Sequence, residues 1–347
     1  MSASTDREAP GAATARRPGR VRASWLLAVL AALVATAVAS VVLGARDVSA
    51  SDVLAGVRGL EDTLPRAAVA QRVPRTFLAA LVGAALGLAG AVMQGVTRNP
   101  LADPGILGVN TGASLAVVTG MVSFGLVNPV SHVWVAIFGA ATAAVFVYAV
   151  GSLGRGGPTP LKLALAGAVT SAALVSLISA VVLARADIAA TFRSWQVGGV
   201  GGASFDRIGQ VLPFLVVGAV VCAVSARGLN SLALGDDLAA GLGERVWLIR
   251  LGASFGAVVL CGAATAAAGP IGFVGLVVPH LCRLLIGVDH RWLLPFSALG
   301  GAVLLTSADV VGRVVTRPEE IDVGIITAFI GAPFFIWIVR RQKVRAL

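Results

Sequence analysis

A chain of 347 residues that is 57% hydrophobic and 13% charged, with mean hydropathy +0.90, is too apolar for an ordinary soluble domain, in which roughly a quarter of residues are charged. Its formal net charge of +10 would suit nucleic acid, but the placement of the charges argues against that partner. The chain lacks a G-x-x-x-x-G-K-[ST] phosphate loop and an H-E-x-x-H helix, so no catalytic residue is assigned and any ATP use would fall to another chain.

In chain order, residues 1–22 are polar, Arg/Pro/Ala-rich and read as a disordered cytoplasmic tail. Residues 23–347 read as one transmembrane domain. Ten apolar segments follow, at roughly 25–44, 75–96, 105–124, 133–152, 163–184, 208–226, 248–268, 271–287, 292–310 and 322–339, each near the length that crosses a bilayer. The first could pass for a signal peptide behind Arg16-Arg17, but its apolar run is long for one, so it reads as an uncleaved helix. The third and eighth are broken by Gly, Pro and Asn. With both termini in the cytoplasm, 17 of the 27 Lys/Arg fall on the cytoplasmic side, the positive-inside pattern of a multi-pass protein of the cell (cytoplasmic or inner) membrane. Cys222, Cys261 and Cys282 sit in spans as small apolar residues. His132, His280 and His290 are scattered, so no metal site is expected.

Gln71-Arg72-Val73-Pro74-Arg75-Thr76 precedes the second span, with Pro74 suited to a first helical turn. Arg72 and Arg75 then face outward, against the positive-inside bias and at a helix N-terminus whose macrodipole disfavours cations. Two readings stand: pairing with Glu61, Asp62 or lipid phosphate, or a socket for carboxylates of an external partner, which arginine forks bind well. Beyond that span, Arg98 to Pro104 forms a stiff turn. Gly105 to Gly112 then carries polar groups back into apolar territory, either as a pore-facing segment or as a plain connector.

Leu229 to Gly243 lies in the cytoplasm between the sixth and seventh spans. Asn230 and Asp236 read as N-caps and Gly235 and Gly243 as stops, giving two short helices. The second carries Asp236 and Asp237 and turns Leu238, Ala239 and Leu242 to one side, a small apolar face for a groove on a cytosolic partner. A membrane-surface helix is disfavoured, since its aspartates would be repelled by anionic lipid. Near the external end of the ninth span, Asp309 and Arg313 stand four apart and can neutralise each other. An ionisable pair at that depth is a functional candidate; a structural lock between helices is equally open. Arg313 can also reach the external surface beside Arg72 and Arg75.

Gly269 to Arg283, GPIGFVGLVVPHLCR, is glycine- and proline-broken inside apolar sequence. Such backbone persists in a membrane only when buried in protein or lining a cavity, which points to transport. Its start echoes NPLADPGILGV after the second span, in the opposite orientation, as in an inverted repeat.

Taken in order, RVPR (72–75), GAALGLAGAVMQGVTRNPLADPGILG (83–108), LALAG (163–167), SWQVGG (194–199), LNSLALGDDLAAGLG (229–243), GPIGFVGLVVPHLCR (269–283), DHR (289–291) and AD with Arg313 before Glu320 and Gly324 resemble the permease subunits of ATP-binding-cassette importers for ferric siderophores, haem and vitamin B12. The resemblance runs from about Arg72 to Arg340. It implies an all-α fold of ten transmembrane helices, with two permease subunits, identical or sister chains, enclosing a path through the lipid membrane. It implies that 229–243, with Asp236, Asp237, Leu238, Ala239, Leu242 and Gly243, docks on ATPase subunits that hold the ATP and Mg. Arg72, Arg75 and Arg313 would receive an external substrate-binding protein, and Asn99, Leu101 and Thr159 would belong to a cytoplasmic gate. The loop of Thr159, GRGGPTPLK, is richer in Gly and Pro than is common among such permeases. Iron-siderophore is the expected cargo, with haem or vitamin B12 as alternatives. An ion-coupled secondary transporter would need ionisable groups deep in the membrane, where Asp309 stands alone, and an intramembrane enzyme would need a nucleophile or metal cluster.

Overall fold

The computed structural model describes residues 19–126, 129–153 and 160–343. Its helices are α1 (Gly19–Val42), α2 (Ala50–Val57), α3 (Leu64–Thr97), α4 (Val109–Phe124), α5 (Pro129–Gly151), α6 (Pro160–Leu183), α7 (Ala186–Val197), α8 (Phe205–Val224), α9 (Ala226–Leu232), α10 (Asp236–Gly241), α11 (Val246–Ala268), α12 (Val274–Ile286), α13 (His290–Val315) and α14 (Val323–Lys343). A 3-10 turn, Pro104–Leu107, leads into α4. No strand occurs among the described residues. Of the expected disordered tail, residues 1–18 lie outside the described residues, while Gly19 to Arg22 form the first turn of α1.

Every expected span coincides with a helix. Seven (α1, α3, α5, α6, α8, α11 and α13) are long and apolar enough to cross a membrane. The third and eighth expectations, α4 and α12, are shorter, as is the apolar part of α14, Val323–Ile338. The interruptions explain two of these. Pro104 and Gly108 take up the residues before α4, and Gly269 to Phe273 form an irregular entry to α12, with Phe273 left-handed at φ 69°. That entry is enclosed by protein. Gly269 N–H donates to Thr265 O at 2.7 Å, and Gln94 Nε2 donates to Gly275 O at 3.0 Å. The two broken segments also meet, because Asp103, ahead of the 3-10 turn, lies against Gly275 at the start of α12. Bonded, buried backbone is what allows a helix to break at membrane depth.

Helix α3 is the axis of the bundle: 78% of its apolar window is buried, against 6% for the peripheral α1. Lipid removes most of the hydrophobic drive between helices, so close packing through small residues must hold them. Gly83 and Gly87 of α3 lie directly on the backbone of Gly301 and Ser297 of α13, and Gly90 lies on Gly275 of α12. A side chain at any of these positions would push the helices apart. On the far side, α5, α6 and α8 present Phe138, Phe146, Leu165, Val169, Val216 and Val220 outward, as lipid-facing surfaces do.

Candidate functional site

The structure brings Arg72, Arg75, Asp309 and Arg313 together at one end of the bundle and places α9 and α10 at the other. In the orientation read from charge, the first end is external. Arg75 and Arg98 are separated along α3 by about 35 Å at helical rise, enough to cross a hydrocarbon core of about 30 Å.

At the external end the pairing differs from expectation. Helix α3 begins at Leu64, with Pro65 rather than Pro74 in its first turn, so Arg72 and Arg75 lie two to three turns inside it. Glu61 and Asp62 are not their partners; Asp62 pairs with Arg66 at 2.8 Å. Arg75 instead grips Asp309 through Nε at 3.0 Å and Nη2 at 2.8 Å and reaches Glu320 at 2.6 Å. Asp309 also pairs with Arg313 at 2.8 Å, the i, i+4 contact the spacing predicted. One buried carboxylate thus sits between two guanidiniums, with Glu320 at the rim.

The remaining donors of this cluster close α1. The last carbonyls of a helix have no partner within it. Here Arg313 Nη1 donates to Ser40 O at 3.0 Å and Leu43 O at 3.2 Å, and Arg72 Nη1 donates to Val42 O at 2.9 Å. Arg72 Nη2 reaches on to Arg46 O at 2.8 Å. Ser40 Oγ and Thr76 Oγ1 share a hydrogen bond of 2.6 Å, and Arg313 Nη2 donates to Ser40 Oγ. Cations at a helix C-terminus also suit its dipole. Arg72 and Arg313 are therefore buried and committed within the chain, with relative exposures of 6% and 1%; Arg75 and Glu320 form the more accessible edge. Thr76 closes the Gln71–Thr76 motif, but its pairing with Ser40 is not legible there, because small hydroxyl residues in apolar helices carry no distinguishing pattern.

At the cytoplasmic end, α9 and α10 are the two short helices expected, with different caps. Helix α9 starts at Ala226, so Asn230 is inside it. Its side chain reaches across to α13: Asn230 Nδ2 donates to Asp289 Oδ1 at 2.8 Å, and Asn230 Oδ1 accepts from His290 N at 2.9 Å. Gly235, at φ 111°, precedes α10. Asp236 does not cap it; its carboxylate accepts from Arg250 at 2.9 Å and pairs with Arg98 at 3.5 Å. Ala239 is fully buried against the bundle rather than part of the outward face. The exposed apolar side chains are Leu234, Leu238 and Leu242, at 59%, 62% and 67%, spaced four apart, with Asp237 exposed beside Leu238. Leu234, in the turn between α9 and α10, is outside the expected face, which the spacing placed on the second helix alone. Gly243, at φ 85°, ends the segment as expected.

Asp289 caps α13 through Arg291 N at 3.1 Å. Burial would raise its carboxyl, but the hydrogen bonds from Asn230 and Arg291 outweigh it and hold the group below the ordinary carboxylate value.

Of the gate candidates, Asn99 and Leu101 lie in the turn after α3. Asn99 Oδ1 accepts from Leu101 N at 3.0 Å, fixing that turn beside Arg98. Thr159 lies outside the described residues. The three cysteines are buried free thiols.

An all-helical bundle of this connectivity, with a paired cytoplasmic helix segment and a buried external arginine cluster, is the architecture of a transport permease. The chain belongs to the FecCD transport family, whose pattern matches residues 32–341. It is 44% identical over 316 residues to the ferric enterobactin transport system permease protein FepD of Escherichia coli (strain K12), covering 90% of this chain and 94% of that one. It is 38% identical over 277 residues to the hemin transport system permease protein HmuU of Yersinia pestis, covering 78% and 82%. Among solved structures it is similar to a metal-chelate type ABC transporter in an inward-facing conformation, with TM-score 0.77 and 27% identity, over 92% of this chain and 99% of that one.

Proposed function

We propose that this chain is the permease subunit of an ATP-driven importer that carries a ferric siderophore across the cytoplasmic membrane. The observation that carries the reading is the cytoplasmic segment 226–242. It turns three leucines into solvent while Asn230, Asp236 and Ala239 tie it to the bundle. An apolar row on a segment tied to the bundle fits a groove on another protein, and a separate ATPase, holding ATP and Mg, is the partner this reading assigns. Relatives named for ferric enterobactin and for hemin support an iron-chelate cargo, and haem and vitamin B12 are the alternatives.

In this mechanism a loaded binding protein docks externally around Arg75 and Glu320, over the cluster that Arg72 and Arg313 complete. ATP binding and hydrolysis move the docked ATPases, and α9 and α10 pass the motion to the bundle. Asn99, Leu101 and the loop of Thr159 close the cytoplasmic mouth of a path formed with a second permease, identical or sister. Each ligand shifts the equilibrium only by binding one state better than the other.

Reconstitution in proteoliposomes with the ATPase and the binding protein tests this. ATP-dependent accumulation of ferric siderophore is the expected result. Accumulation driven by an ion gradient without ATP would overturn it in favour of a secondary transporter.

A further inference from the structure

The Asn230 contact does more than hold a loop. An Asn inside α9 offers its side-chain oxygen to His290 N, the first helical amide of α13 and one of the N–H groups a helix cannot satisfy internally. The same oxygen lies 2.9 Å from His290 Nδ1, and the amide nitrogen holds the Asp289 carboxylate. One side chain thus grips the N-terminus of α13 at three points. Hydrogen bonds to a charged group, such as that to Asp289, are the stronger kind.

From there α13 runs unbroken to Asp309 and Arg313. Along the way it lies backbone to backbone on α3, at Ser297 against Gly87 and at Gly301 against Gly83. At the cytoplasmic end, His290 packs on Gly95 of α3, where an added Cβ would stand 2.6 Å from Nε2. At the external end, Arg75 of α3 holds Asp309 of α13. Two helices clamped at both ends and in contact between them move as one body, because packed helices shift rigidly rather than deform. Asp236 adds a second tie, through Arg98 at the C-terminus of α3.

We infer that Asn230 is a positioning residue that fastens the cytoplasmic coupling helices to an α3–α13 strut, so that events at the external arginine cluster and at the ATPase are felt by each other through that strut. The inference rests on the proposed function. Coupling between two sites is reciprocal in free energy, so a binding protein docked outside should alter the ATPase inside.

The test uses the full complex of this chain, its ATPase and its binding protein in lipid nanodiscs, with ATP hydrolysis measured with and without loaded binding protein. Asn230→Asp sets a second carboxylate against Asp289. The expected result is an ATPase that still co-elutes with the chain while the stimulation by binding protein falls about tenfold. The reciprocal pair Asn230→Asp with Asp289→Asn restores a donor opposite an acceptor, and stimulation should return, while thermal unfolding of Asn230→Asp followed in parallel separates loss of coupling from loss of stability. Undiminished stimulation in Asn230→Asp would overturn the inference. So would loss of the ATPase from that variant, which would make Asn230 part of the docking surface. If Asn230→Asp fails to accumulate, the reciprocal pair decides alone: stimulation supports the strut, and its absence in an assembled complex overturns it. The docking reading fails separately, if Leu238→Asp with Leu242→Asp leaves the ATPase bound.

Discussion

Asp309 is 1% exposed and lies between Arg75 and Arg313. Charge buried this deeply is tolerable only when paired, and removing the shared acid leaves Arg313 without a carboxylate and Arg75 with Glu320 alone. Asp309→Ala should therefore cost about 3–5 kcal/mol, the range for breaking a buried pair. Arg313→Met should cost less, because Arg75 still neutralises Asp309 and the groups that lose a donor outright, the Ser40 and Leu43 carbonyls and the Ser40 hydroxyl, are uncharged. Thermal unfolding in detergent ranks the two; a milder Asp309→Ala would contradict the assignment. Part of this cluster is legible in the sequence. Asp309 and Arg313 are one helical turn apart, so helix geometry alone pairs them. The Arg75–Asp309 contact joins positions separated by 234 residues, and no local pattern reports such a distance. Asn230 shows the converse error. An Asn before an apolar run resembles a cap, but α9 had already started at Ala226, which left its side chain free to bond another helix.

At the scale of elements, the interruptions were informative. Gly, Pro and Asn in the third and eighth segments marked the two that form short helices, α4 and α12. The start of α3 was misplaced by eleven residues because Leu64 to Pro74 mixes arginines with apolar residues, and its helical course depends on packing against α2. Which glycines are indispensable was not legible, since the chain has 42; the packing separates them. A methyl group on Gly83 or Gly87 meets backbone of α13, whereas Gly209 of α8 and Gly252 of α11 face open space. Gly83→Ala or Gly87→Ala should destabilise the chain by about 1–3 kcal/mol of overpacking, read as a lower melting temperature. Gly209→Ala and Gly252→Ala should be neutral or mildly stabilising, Ala being the better helix former. Equal effects at all four sites would refute the strut packing. For α10, Leu238→Asp with Leu242→Asp should release the ATPase while the chain remains in the membrane, read by co-purification. Retained ATPase would rule out this face as the dock.

At the scale of the molecule, composition and charge placement were enough to expect a multi-pass helical protein, and the described helices agree. Motif order was enough to expect the family that the match over residues 32–341 establishes. Cargo identity is not legible at this scale. The relatives named for ferric enterobactin and hemin are similarly related to this chain, at 44% and 38% identity, and broad ligands are held by many weak apolar and polar contacts rather than by one motif. The most direct measurement is uptake of radiolabelled ferric siderophore, with labelled haem and cobalamin in parallel, in iron-starved cells lacking this chain and in the same cells complemented. The account predicts selective loss and recovery of siderophore-iron uptake, abolished when the partner ATPase is inactivated. Loss of haem or cobalamin uptake alone would contradict the cargo, and siderophore uptake that persists with an inactive ATPase would contradict the mechanism.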